Sequence, residues 1–459
     1  MLVRAAREGA MANGRSGRGV IGRLVHPVIL VPGITGSTLR DEYAVDPETV
    51  WSLLRKDHQR VMLHPDDPRY ELREPARVRE DRVLGLPYEE LVRELRHDLS
   101  PRSDLPTPVF PFAYDWRQPL ARIEARLAAF VEEVIERTAL LPHYHAAGYA
   151  RRPRVNLVGH SMGGLVIAGY LAGAGAARVG KVATLGTPFR GSLEAVVKIT
   201  TGLAELGPAP PSSRDREAAR LTPALYHLVP TFRDCMIGED ERPVGSSFLA
   251  PHRWQKGVVD TLAEFLRLHG REPARRRQQA AALLEALLGE ARRHRRRLEG
   301  LDLAAAGLAP EDWLCLVGVG RETRVRVRIR PRGEYSELHL TRRDQLDEWR
   351  DPRGRRALTG DGTVPYLGAE PAFLPVESLV CVAPEDFGRW ELHDQLLAAD
   401  WAGGLHGLLP RMNLVHRLVA SHFEGAVRRG CWGRAAPTLA DDATWTPPIA
   451  GLERRRLAA

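Results

Sequence analysis

A mostly parallel central sheet with helices on both faces follows from three features of the sequence. Apolar strand patterns alternate with helical ones from residue 27 to residue 185, the βαβ order of a parallel sheet. One of these strands, over 154–158, runs without a break into Gly159-His-Ser-Met-Gly163 and then an apolar helix rich in small residues, a sharp strand–turn–helix corner. The alternation stops between 189 and 309, where the chain turns helical and Pro/Arg-rich, and strand patterns return from 313, so a largely helical cap is expected to interrupt the sheet.

Taken in order, residues 27–31 form an apolar strand that enters Pro32-Gly33-Ile34-Thr35-Gly36-Ser37, a turn of the kind that opens backbone N–H groups to a ligand. Residues 41–82 are polar, charged and Pro-rich around Trp51, Leu53 and Leu54, and are expected to leave the sheet as a lid. Leu91, Val92, Leu95 and Leu99 give helical spacing over 88–99. A strand over 109–114 and a helix over 117–140 follow, then the strand and helix around residue 161 and a strand over 181–185. After the cap, strands are expected over 313–319, 323–329 and 378–382, and helices from about 393 and 413. The expected organisation is a disordered tail over 1–24, in which Met11 is an alternative start, a first core segment over 25–190, the cap over 191–310, a second core segment over 311–427, and a mobile tail over 428–459.

The corner G-x-S-x-G is where chemistry is expected. Its glycines let the backbone make a strained bend that leaves the Ser161 oxygen exposed at the strand end, ready to attack an acyl carbon. A hydroxyl is too weakly acidic to attack unaided, so it needs a base, and the base needs an orienting acid; in this kind of fold both lie after the serine. Asp361, flanked by glycines in Gly360-Asp-Gly-Thr-Val-Pro365, is the expected acid, its alternative being an Asx-turn residue that only shapes the loop. His393, after the expected last strand and at the mouth of a helix, is the expected base, with His422 and His406 as reserves; His416 falls in a helical pattern and reads as structural. His160 reads as packing. The developing oxyanion needs two donors, expected to be the backbone N–H groups of Ile34 and Met162.

Composition excludes several classes. The chain of 459 residues is 44% hydrophobic and 27% charged, with no run apolar enough to span a bilayer. Its net charge of +8 is spread through an Arg-rich sequence without interleaved aromatics, so nucleic acid is not an expected partner. Cys235, Cys315, Cys381 and Cys431 are widely spaced, with no C-x-x-C pair, so no metal site is expected, and Cys315 and Cys381 sit in apolar runs as buried thiols of a reducing compartment. No signal segment is legible, and a cytoplasmic location, with or without peripheral membrane association, is expected.

Five pieces of the sequence resemble the lecithin:cholesterol acyltransferase-like family of the α/β-hydrolase superfamily, which includes lysosomal phospholipase A2 and the phospholipid:diacylglycerol acyltransferases. They are Val28-Ile-Leu-Val-Pro-Gly-Ile-Thr-Gly-Ser37, Phe112-Ala-Tyr-Asp-Trp-Arg117, Gly159-His-Ser-Met-Gly163, Thr184-Leu-Gly-Thr-Pro-Phe-Arg-Gly191 and Gly360-Asp-Gly-Thr-Val-Pro365, in the family's order. The resemblance implies an α/β-hydrolase fold and no cofactor. It also implies a lipase or O-acyltransferase acting on a phospholipid or acylglycerol through Ser161, Asp361 and His393. Trp51 looks like the family's lid tryptophan that helps hold the acyl chain, or else a lid anchor; Asp115, Trp116 and Arg117 read as mainly structural. Secreted members carry a lid disulfide, but this chain has no cysteine before Cys235.

Residues 275–297 place Leu283, Leu284, Leu287 and Leu288 on one face of an Arg-flanked helix. Such a helix suits either an anionic membrane surface or, the favoured reading, a cap stripe packed on the body. Two alternatives to lipid acyl transfer stay open on the sequence: an inactive protein that docks on lipid surfaces, and a carboxylesterase for small soluble esters.

Overall fold

In the computed structural model, residues 24–43, 45–62, 77–202, 213–245, 247–268, 273–340, 349–350, 356–357, 360–388, 404–440 and 443–455 are described. Strands β1 (Val28–Val31), β2 (Ser37–Asp41), β3 (Glu48–Trp51) and β4 (Val78–Val83) open the fold, with a single turn of helix α1 (His58–Val61) after β3. Helix α2 (Gly85–Leu99), strand β5 (Val109–Pro111), helix α3 (Leu120–Ala139), strand β6 (Val155–His160), helix α4 (Met162–Ala174) and strand β7 (Val179–Leu185) follow. The segment expected as a cap holds α5 (Leu193–Thr201), α6 (Ser213–Arg220), α7 (Pro223–His227), β8 (Met236–Ile237), α8 (Lys256–Leu268) and α9 (Arg276–Glu299). The chain then makes β9 (Trp313–Gly318), β10 (Val327–Arg332), β11 (Tyr335–His339), β12 (Val380–Val382), the short α10 (Gly404–Leu408) and α11 (Asn413–Glu424).

Six strands form the central sheet in the order β12-β9-β7-β6-β1-β5, and every neighbouring pair is parallel. All six residues of β6 and of β9 are buried, as strands covered on both faces must be. One apolar layer, including Leu127, Val131, Leu165 and Val166 of α3 and α4, continues into the cap helices; a second, with Leu91 and Leu95 of α2 and Val415 and Leu418 of α11, covers the other face. This is the α/β-hydrolase architecture.

The segment expected as a lid is partly a sheet: β2, β3 and β4 pair antiparallel in the order β3-β2-β4. Buried Arg117, in a two-pronged ion pair with Asp115, reaches the backbone carbonyls of Val61 and Val78 and so ties this segment to the loop beyond β5. Burial alone would raise the Asp115 pKa, but the Arg117 charge and hydrogen bonds outweigh it and hold the carboxyl below its usual range. The structural role expected for Asp115 and Arg117 thus has a definite geometry.

Two expectations change on folding, and the favoured reading of the Arg-flanked helix is kept. The strand expected over 323–329 forms as β10, which joins β8 and β11 in a separate three-stranded sheet. Leu283, Leu284, Leu287 and Leu288 of α9 are buried against the body, so the apolar stripe of this Arg-rich helix faces inward. The described residues beyond 428 are packed: Cys381 and Arg434 exchange two backbone hydrogen bonds, adding chain to the β12 edge, and the Trp445 indole N–H donates to the Leu379 carbonyl at 2.8 Å. All four cysteines are free and buried. Among the described residues no helix is long and apolar enough to cross a membrane.

Candidate active site

Ser161 sits between the end of β6 and the first residue of α4 with φ 53° and ψ −124°, a strained conformation for a residue with a Cβ. The bend is possible because Gly163 faces backbone: a Cβ there would lie 2.1 Å from the Val31 carbonyl oxygen. Strand β1 and helix α4 therefore meet at the elbow with no side chain between them. Met162 opens α4, where the first N–H groups have no acceptor within the helix.

Across the sheet end, Asp361 is buried and held by its own loop, its Oδ1 accepting from the N–H groups of Thr363 (3.0 Å) and Val364 (2.7 Å). A Cβ on Gly186 would lie 3.0 Å from Asp361 Oδ2, and one on Gly318 would lie 2.6 Å from its Cβ, so only glycines at the ends of β7 and β9 leave room for it. The other carboxylate oxygen, Oδ2, accepts from His406 Nδ1–H at 2.7 Å. On its far side, His406 Nε2 lies 2.9 Å from Ser161 Oγ. Ser161, His406 and Asp361 are thus one hydrogen-bonded chain, buried throughout.

Two of the three residues chosen from sequence, Ser161 and Asp361, meet here. His393 lies outside the described residues, and the position against Ser161 and Asp361 is filled by His406, which the sequence offered only as a reserve. The missed signal is Gly404-Leu-His-Gly407: His406 N–H donates to the Asp361 carbonyl at 3.1 Å, and a Cβ on Gly404 would lie 3.3 Å from that same oxygen. Of the other histidines, His422 is buried in α11 with Nε2 bonded to the Asp312 carbonyl, and His416 bonds the Pro410 carbonyl.

The turn after β1 completes the cluster. Gly36 N–H donates to the Gly33 carbonyl at 3.0 Å and Thr35 has φ 59°, which presents Ile34 at the cavity wall beside Ser161. A Cβ on Gly33 would lie 3.0 Å from the Ser161 Cβ, so the turn abuts the elbow directly. These contacts set the turn bearing Ile34 against the elbow, where Met162 follows Ser161.

Ser161 and His406 open into a cavity of about 280 Å³. Its wall is largely apolar, including Ile34, Trp51, Leu84, Trp116, Leu225 and Leu228. Trp51 packs on Trp116 with ring centroids 4.9 Å apart, and on His58 at 5.9 Å. At one part of the wall His58 Nε2 meets Asp215 Oδ1 at 2.5 Å, joining α1 to α6, with Lys56, Glu194 and Lys198 also lining the cavity. Burial lowers the His58 pKa despite the opposing Asp215 charge. Among the described residues, the grouping whose donor atoms come close enough for a metal ion is Glu94, His97 and Asp98 on α2, none of which lines the cavity, and Asp98 is paired with Arg428 at 3.0 Å.

Residues 106–251 match the lecithin:cholesterol acyltransferase family. The matched stretch includes the Phe112–Arg117 motif and the elbow, and ends before Asp361 and His406. Among solved structures, the Tle4–Tli4 complex is similar over 75% of this chain and 88% of its own, at 16% identity and a TM-score of 0.50. Mature lipase BlEst2 of Bacillus licheniformis is similar over 54% and 76%, at 15% identity and a TM-score of 0.23. No curated protein matches the chain in sequence. The stretch matched by this family lies within an α/β-hydrolase fold and supports an enzyme of the lipid acyltransferase and serine hydrolase kind.

Proposed function

We propose that the protein is a serine acyl hydrolase or O-acyltransferase of lipid esters, phospholipid or acylglycerol, working through an acyl-enzyme at Ser161. The observation that carries the reading is the unbroken hydrogen-bonded chain Ser161–His406–Asp361 at the wall of an apolar cavity. As Ser161 Oγ bonds to the ester carbonyl carbon, His406 Nε2 takes its proton, and the Asp361 carboxylate stabilises the imidazolium through Nδ1–H. The carbonyl oxygen becomes an oxyanion beside the N–H groups of Met162 and Ile34, donors that need no reorganisation. Collapse of this intermediate breaks the ester bond, and His406 returns its proton to the departing alcohol oxygen.

In the second half, water or an alcohol attacks the acyl-enzyme while His406 again takes the proton, and Ser161 Oγ leaves with it. Water gives a free fatty acid and an alcohol gives a new ester. The mainly apolar wall with Trp51 and Trp116 suits an acyl chain, since burying each methylene is worth about 0.8 kcal/mol. The lid role expected for Trp51 is thereby part of this reading.

The test is product analysis after incubation with mixed phospholipid and neutral-lipid vesicles containing a lipophilic alcohol, alongside Ser161→Ala. Free acid alone marks a lipase or phospholipase, and alcohol ester formed at its expense marks a transacylase. Turnover retained by Ser161→Ala, or no Ser161-dependent product from any lipid, overturns the reading.

A further inference from the structure

His160, which the sequence presents as a packing residue, stands at the centre of a second buried hydrogen-bond chain beside the first. Gly33 N–H donates to the Tyr88 hydroxyl oxygen at 2.9 Å. Tyr88 Oη and His160 Nδ1 are 2.8 Å apart, and His160 Nε2 is 3.0 Å from the His406 carbonyl oxygen. The direction of every proton follows from the two ends. A backbone N–H can only donate and a backbone carbonyl can only accept. Tyr88 therefore accepts from Gly33 and gives its own proton to Nδ1, and Nε2 carries the proton that goes to His406. Both ends demand the same tautomer of a neutral imidazole, and burial, with the neighbouring His406 adding to it, lowers the His160 pKa to about 3.

The three loops so joined are the three that must be in register for acyl transfer: the turn bearing Ile34, the elbow bearing Ser161 and the segment bearing His406. The contacts leave no slack. A Cβ on Gly33 would lie 3.4 Å from His160 Nδ1, and the His160 and His406 rings pack with centroids 5.0 Å apart. Neither Tyr88 nor His160 carries a proton of the reaction, because both hydrogen-bonding nitrogens of His160 are occupied by fixed partners.

We infer that His160 and Tyr88 are positioning residues, a neutral imidazole–phenol bridge that sets the oxyanion turn against the catalytic histidine. The inference rests on the proposed Ser161–His406–Asp361 mechanism. Removing the Tyr88 hydroxyl unties Gly33 from the elbow, so the tetrahedral state loses more than the bound substrate does. Positional errors of about 1 Å at such a site are known to cost about a hundredfold in rate.

The experiment measures kcat and KM on a lipid ester, and the labelling rate by a fluorophosphonate, for Tyr88→Phe, His160→Leu, His160→Gln and Ser161→Ala, with thermal midpoints for each. Expected are a fall in kcat of about ten- to a hundredfold in Tyr88→Phe with KM within about twofold, and a parallel fall in labelling rate, since the phosphonate adduct uses the same donors. His160→Gln, whose amide supplies one acceptor and one donor, is expected to recover most of the rate lost in His160→Leu at a similar thermal midpoint. A folded Tyr88→Phe enzyme with unchanged kcat, or Gln and Leu variants equally impaired, overturns the inference. Turnover retained by Ser161→Ala instead overturns the mechanism beneath it, so the two failures are distinct.

Discussion

Replacing Asp361 by Asn changes one atom and should nearly stop catalysis. Oδ1 of Asp361 is committed to the N–H groups of Thr363 and Val364, which can only donate, so the amide oxygen of Asn must take that place. The amide NH2 is then left facing His406 Nδ1, where the carboxylate oxygen accepted at 2.7 Å. A donor there forces Nδ1 to be the acceptor and puts the ring proton on Nε2, the nitrogen 2.9 Å from Ser161 Oγ. The base can then no longer take the serine proton. In a serine protease triad the same wrong-tautomer change costs about 10⁴-fold in kcat, or about 5.4 kcal/mol of barrier. The fold should survive, because both loop hydrogen bonds and the side-chain volume are kept. The assay is steady-state hydrolysis of a lipid ester at about pH 7 to 8, within the range where a histidine base is neutral, with the thermal midpoint measured on the same sample. A loss of less than about tenfold in a folded variant would refute the claim that Asp361 sets the His406 tautomer.

Three further outcomes are expected. His406→Ala should lose all Ser161-dependent turnover and fluorophosphonate labelling whereas His393→Ala keeps both, and the reverse pattern in lipid ester assays would return the base to His393. Arg117→Met should lower unfolding free energy by about 3–5 kcal/mol in urea titration, because the nearly buried Asp115 carboxylate loses its counter-ion, and adding Asp115→Asn should recover part of it; additive losses would argue against the pair. His160 and His422 are both pushed by burial to about 3, against about 6.5 for an unfolded histidine, so below about pH 6.5 the unfolded chain binds protons that the folded one refuses. Their stabilisation is complete above about pH 6.5 and is lost as pH falls toward about 3, at about 1.4 kcal/mol per pH unit for each, so the urea midpoint should drop between about pH 7 and about pH 5.5. A midpoint that stays level or rises over that interval would contradict the burial of neutral rings.

What could be read from the chain in advance was local. The βαβ order, the G-x-S-x-G elbow and the Gly-Asp-Gly loop are each written in a few consecutive residues, since strand period, turn chemistry and glycine requirements are short-range effects. Ser161 and Asp361 could be singled out for that reason. The helix over 88–99 was legible from its four apolar positions, although Tyr88 at its start gave no hint of its bond to Gly33.

The base is another matter. Local pattern favoured His393 among the four histidines after Asp361, but choosing among them depends on which one closes a contact 245 residues away in sequence, at Ser161. No local pattern encodes that distance. Only the packing of α10 against the Asp361 loop, through glycines at 186, 318 and 404, brings His406 into line. The same holds for His160, whose partners come from α2 and α10, whereas the inward face of the α9 leucines was the favoured reading of their spacing. Sequence by itself determined the fold class and singled out Ser161 and Asp361, because short-range sterics and hydrophobic period mark those positions. Tertiary structure decided which imidazole meets Ser161 and which one bonds Tyr88 and the His406 carbonyl, because hydrogen bonds between distant segments exist only once the whole sheet has been assembled.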